Sequence, residues 1–308
     1  MRSFFPSSPP ERVVRQMQAC LTSTWYDAGE VLFRAGEPAN QAFFIVEGCV
    51  EMSTEGEEPW LFTDGSVVGI LDANLARPRV REARVIEPTH CLVLDIMDYF
   101  DILEDNFDFA ETLMRRVFGM VHNMALNLPP KEVHPRRHGA PQQPWLSVRR
   151  LNEIQKLMIL RSSVIGKHSP IQPLVNLARL TQEQRLSKDR VLLEKDQPLD
   201  HLMIVAEGLL RAESEDVPKV DAAFDPGSVV LGSTAFVLDH APMPVIASRP
   251  SLVLSIRIEA LWDTMEDHFE LFRSVFAYLA SEHERVRNRL SQLNPNTRDL
   301  AKAFGGDR

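Results

Sequence analysis

The chain says one thing twice. "VLFRAGEPANQAFFIVEGCVE", beginning at Val31, returns as "VLLEKDQPLDHLMIVAEGLLR", beginning at Val191, with Val31/Val191, Leu32/Leu192, Pro38/Pro198, Glu47/Glu207 and Gly48/Gly208 matching at one fixed offset. The match continues with "GSVVG" from Gly65 and "GSVVLG" from Gly227, then "LVLDI" from Leu92 and "LVLSI" from Leu252, and closes on "EDNF" and "EDHF". A repeat this long means two copies of one structural unit, which restricts the fold more than any single motif does.

Within each copy, β-branched and aromatic runs (Val31–Phe33, Phe43–Val46, Cys49–Met52, Val67–Ile70, Cys91–Ile96) are punctuated by Gly, Pro, Asn and Asp. That pattern predicts a small sheet with tight turns. Helices follow each sheet. Ala110, Met114, Val117, Val121, Met124 and Leu128 mark the first, and Phe269, Phe272, Phe276, Leu279, His283, Val286, Leu290 and Leu293 the second, in alternating steps of three and four. Such a stripe packs either on its own sheet or on another helix. The second runs past the sheet, so Phe272, Phe276, Leu279, His283, Val286 and Leu290 are expected to form a seam between two chains of a homodimer.

The expected organisation is a first domain over 1–128, a linker over 129–145, a second domain over 146–293 and a tail over 294–308. The linker stretch "LPPKEVHPRRHGAPQQPW" is rich in Pro and charge. "SVRRLNEIQKLMILRSS" places Leu151, Ile154, Leu157 and Met158 on one face of a helix leading into the second domain.

The repeated "G-[DE]-P-x-[DN]-x-x-[FM]-[FI]-[IV]-[VA]-E-G", followed by "G-S-V-V-x-G", resembles the cyclic-nucleotide-binding domain. The resemblance implies a mainly β fold with flanking α: two jelly-roll β-rolls, each followed by a long helix. It also implies a ligand cassette patterned F-G-E-L-A-L…P-R-x-A-[TS], where backbone N–H groups and one arginine hold a cyclic phosphate and a glutamate receives the ribose hydroxyl.

In the first repeat Gly69 fits the pattern, Ile70 stands where the glutamate belongs, and Arg81, Ala83 and Arg84 fall on the arginine, alanine and Ser/Thr positions. Isoleucine accepts no hydrogen bond. Arg77 and Arg79 flank Pro78 and read as loop arginines exposed to solvent. Asp72, two residues along a helical turn from Ile70, points about 200° away and does not replace the glutamate. In the second repeat Gly232 is followed by Ser233, Val245 takes the arginine position, and only Ala247 and Ser248 keep the pattern.

These departures make the expected function that of a non-enzymatic regulatory or scaffold protein, acting through an unidentified protein partner and not through cyclic AMP. The alternative is a sensor that takes a cyclic (di)nucleotide or another phosphate-bearing small ligand on Arg81. A DNA-binding regulator of the catabolite-activator type is a further alternative, but the tail is too short for the expected helix-turn-helix. The net charge of −9, from 34 basic and 43 acidic residues, gives no global attraction for nucleic acid or an anionic membrane. "RRHGA" at 136–140 is similar to the inhibitory segment of kinase regulatory subunits, yet it lies between the repeats and reads better as linker.

No H-x-H pair, G-x-S-x-G, Walker A or G-x-G-x-x-G occurs, so no catalytic residue, metal or cofactor is expected. The carboxylate pair Glu57/Glu58 reads as surface charge in a hairpin turn. Cys20, Cys49 and Cys91 are scattered and odd in number, and the start lacks a secretory apolar run, which together predict a cytoplasmic protein.

Overall fold

The computed structural model describes residues 9–54, 59–133, 144–214 and 220–293. The 134–143 part of the linker, with its basic segment 136–140, the Glu57/Glu58 pair and the tail 294–308 lie outside the described residues. The chain divides into two compact units, 1–116 with 288–308, and 117–287. The first boundary therefore falls inside a helix, whereas the apolar stripe placed it after Leu128.

The first unit opens with helix α1 (Glu11–Cys20), then strands β1 (Thr22–Tyr26), β2 (Val31–Phe33), β3 (Gln41–Ser53), β4 (Trp60–Phe62) and β5 (Val67–Val68). A single-turn helix α2 (Ile70–Asn74) precedes β6 (Glu82–Asp95) and α3 (Ile96–Asp105). All pairings are antiparallel: the order is β1-β6-β3-β4, with β2 on β6 and β5 on β3. Phe33, Phe43, Ile45, Val50, Val85 and Val93 fill the interior of this roll, as inward-facing members of alternating strands do.

Helix α4 (Phe107–Ala125) leads away, followed by a turn α5 (Pro130–Val133). The second unit then has a 3₁₀ turn at Trp145–Ser147, α6 (Glu153–Ser162), α7 (Ile171–Leu180), β7 (Gln182–Leu186), β8 (Val191–Leu193), β9 (His201–Ser214) and β10 (Val220–Phe224). A 3₁₀ helix at Gly232–Phe236, β11 (Val245–Arg257), α8 (Ile258–Asp267) and α9 (Phe269–Leu293) complete it. Its sheet runs β10-β9-β11-β7 with β8 on β11, which repeats the connectivity of the first roll.

The repeated Glu-Gly has a structural cause. Gly48 and Gly208 sit at φ 108° and 103°, where β3 and β9 bulge against β6 and β11. A Cβ at 208 would lie 2.1 Å from Ser251 Oγ and 2.5 Å from Ser251 Cα; at 48 it would lie 2.5 Å from Thr89 Oγ1 and 2.7 Å from Thr89 Cα. Only glycine leaves room. The buried hydroxyls stitch the bulge: Thr89 Oγ1 accepts from Cys49 N and donates to the Glu87 carbonyl, and Ser251 Oγ accepts from Leu209 N and donates to the Arg249 carbonyl.

The expected dimer seam is corrected here. Phe272, Phe276, Leu279, His283, Val286 and Leu290 are all buried within a single chain. Phe272 stacks on Phe269 with centroids 5.0 Å apart and packs against Phe276 at 5.6 Å. A stripe already covered offers no face to a second copy, so the homodimer loses the surface it was drawn from.

Candidate functional site

In the first roll, Gly69 caps α2 at φ 93°, a conformation that side chains with a Cβ avoid. The space over it is taken by Arg79, which is 3% exposed. Its Nη1 donates to the Gly69 carbonyl and its Nη2 to the Gln41 carbonyl. Its Cζ lies over the Phe33 ring, 4.2 Å from the centroid, an arrangement worth up to about 2 kcal/mol when desolvated. Backbone bonds from Arg79 N to the Glu37 carbonyl and from Gly36 N to the Arg79 carbonyl fix the loop segment that carries it. Burial lowers the Arg79 pKa, opposed by the carboxylates of Asp72 and Glu37. Its Nε is buried without a hydrogen-bond partner.

The other arginines of this loop are also engaged. Arg77 Nε donates to Asp72 Oδ1 at 2.8 Å, so the buried Asp72 is the partner of a loop cation. Arg81, 8% exposed, places its Cζ 4.5 Å over the Trp60 ring. Arg84 donates to the Gly29 carbonyl at 2.9 Å and to Glu82 Oε1 at 2.6 Å. Ala83 is buried and pairs with Phe33 and Met52, and Ile70 starts α2 half-buried.

Two readings from sequence change here. Arg79 is not exposed, and it, rather than Arg81, brings its guanidinium to the start of the cassette helix. In extended chain, residues two apart point to the same side, so spacing alone does not choose between 79 and 81.

The second cassette is built from apolar side chains. Leu231 (φ 62°) and Gly232 (φ 53°) turn the chain into the 3₁₀ helix, and Leu231 is fully buried. Val245 is buried between Leu193 and Ala212 of the neighbouring strands, while Ser233 and Ser248 are half-buried. Phe236 stacks on Phe118 of α4, centroids 4.2 Å apart and planes 6° from parallel, and meets Trp262 edge-on. Thr234 Oγ1 lies 3.1 Å from His122 Nδ1, and burial lowers the His122 pKa. Beside them is a cavity of about 30 Å³, bordered by Ser233, Tyr278 and Glu282, with room for a water or two. A valine supplies no donor to a phosphate, and the phenylalanines close the turn from outside.

Among the described residues, no three His, Cys, Asp or Glu side chains are grouped as a metal ion requires, and no helix is long and apolar enough to cross a membrane.

Residues 23–106 match the family model of the cyclic nucleotide-binding domain. That stretch, the first roll, has the fold of the cyclic nucleotide-binding domain, and the second roll repeats its strand order. Among solved structures, the regulatory domain of Toxoplasma gondii PKA with cAMP matches at 14% identity and TM-score 0.34, covering 91% of this chain and 93% of that one. The regulatory subunit of a cAMP-independent protein kinase A from Trypanosoma cruzi bound to guanosine matches at 14% identity and TM-score 0.34, over 95% and 91% of the two chains. Its Trypanosoma brucei counterpart matches at 15% identity and TM-score 0.33, over 97% and 88%. No curated protein matches the chain.

Proposed function

We propose that the chain is a non-enzymatic regulatory protein whose rolls act through protein partners and do not use cyclic AMP. One observation carries this reading: the guanidinium at the first cassette already serves the carbonyls of Gly69 and Gln41. A phosphate would have to take it from two part-buried carbonyl acceptors, each of which would then lose its partner at a cost of roughly 0.5–1.5 kcal/mol. Ile70 for glutamate and Val245 for arginine support the same conclusion. The three cysteines are free, which suits a reducing compartment, and the cytoplasm is the one we propose.

The buried, unpartnered Nε of Arg79 favours one second reading, a phosphate-bearing ligand that completes this donor. Calorimetry with cyclic AMP, cyclic GMP and cyclic dinucleotides separates the two. The first reading expects no heat of binding at micromolar ligand. Micromolar binding of cyclic AMP, lost in Arg79→Ala but kept in Arg81→Ala, overturns it.

A further inference from the structure

Helix α6 is apolar on two faces. Its Asn152/Gln155 capping box starts it cleanly, and Ile159 and Leu160 bury one side in the second unit. Ile154 and Met158, placed by the sequence on one helix face, are 69% and 51% exposed. Four residues apart on a helix, they form one continuous ridge. Scattered exposed apolar residues are ordinary, but an exposed pair in register on a helix already anchored by its opposite face is a feature of binding surfaces.

The charge around the ridge is also distinctive. From Trp145 to Pro170 the chain carries Arg149, Arg150, Lys156, Arg161 and Lys167 against the single acid Glu153, in a protein whose net charge is −9. Glu153 is offset by Arg179 at 3.3 Å, and Lys156 is committed to the Thr181 carbonyl. Arg149, Arg150 and Lys167 remain exposed, and Arg161, also exposed, spends one nitrogen on the Gly166 and Ser169 carbonyls. An apolar ridge set among exposed cations on an otherwise acidic molecule complements one kind of surface.

We propose that the α6 ridge docks an acidic amphipathic helix of a partner protein, with apolar side chains of the partner against Ile154 and Met158 and its carboxylates beside the arginines. Lipid is disfavoured because the helix is locked into its unit by Ile159 and Leu160, leaving only two side chains to insert. Nucleic acid gains little from Ile and Met. The surface goes beyond the reading above, since it exists whether or not the rolls bind nucleotide.

The test uses the full chain and a synthetic amphipathic peptide with leucines four apart flanked by glutamates, followed by fluorescence anisotropy. Binding is expected, weakening about tenfold or more in Ile154→Asp/Met158→Asp and with a lysine-for-glutamate twin peptide, and falling as salt rises. Met97→Asp, at a 63% exposed position of the first unit, is expected to bind like the wild type. Unchanged melting of the α6 variant shows that loss is not unfolding.

No binding at millimolar peptide, equal binding of the twin, or indifference to the α6 substitutions each overturns the proposal. So does binding of phosphatidylserine vesicles that depends on Ile154, which assigns the ridge to a membrane. Self-association that the α6 variant abolishes in light scattering assigns it to a second copy and overturns the proposal as well. Nucleotide calorimetry is unaffected by any of these outcomes, so the two readings fail separately.

Discussion

At the scale of single residues, the cassette is decided by where one guanidinium points. Arg79 closes on Gly69 and Gln41, and Arg81 lies over Trp60. The sequence made the cassette legible as a place, through Gly69 and the arginine cluster, but not the choice of arginine, because loop closure rather than strand alternation sets which one reaches in. His283 offers a second residue-level test. Burial holds its pKa near 4 in the folded chain, helped by Arg287 and opposed by Glu284, against an ordinary value of 6.5. Between those values the unfolded chain takes up a proton that the folded chain refuses. Stability is therefore complete above the ordinary value and drains away as pH falls toward 4, by up to about 3 kcal/mol. The buried His122 adds in the same direction. Urea unfolding across this range is expected to show a shallower pH dependence for His283→Leu than for the wild type, and an identical dependence would refute the assignment.

At the scale of elements, the repeated Glu-Gly marks a strand bulge. Its partners Thr89 and Ser251 lie about forty residues further along the chain. A one-dimensional reading sees the glycine but not the strand crossing it, which is why the motif was legible as a repeat and its cause was not. Gly208→Ala is expected to destabilise the second unit by about 2–4 kcal/mol through steric overlap and a strained φ, read as a lower urea midpoint. The end of α4 carries a related prediction. Phe118 is fully buried on Phe236, so Phe118→Ala should cost about 3–5 kcal/mol. A His122→Ala/Thr234→Val double-mutant cycle should return a coupling of roughly 0.5–1.5 kcal/mol; a value near zero would mean that the 3.1 Å contact contributes nothing. Helix α6 was legible as a helix, but with apolar residues on both of its faces the sequence does not say which face is covered.

At the scale of the whole molecule, periodicity identified the long second helix correctly but could not say what covers it. A three-four apolar stripe is the same whether its cover belongs to one chain or to two, and here Phe272 to Leu290 are buried in one. Light scattering is accordingly expected to report a single chain mass, and a stable dimer that Phe276→Glu dissociates without unfolding would reverse this. The two-roll architecture was readable from the offset copies alone, since turn residues and strand runs recur together. The helical boundary at Arg116/Val117 was not, because nothing in a continuous apolar stripe records where one packing neighbourhood ends.

The clasp between Arg79 and the two carbonyls has a practical corollary. On the proposed reading the roll brings its own stopper, so material stripped of small molecules by denaturation and refolding should come back with the same melting curve as material purified gently from cells.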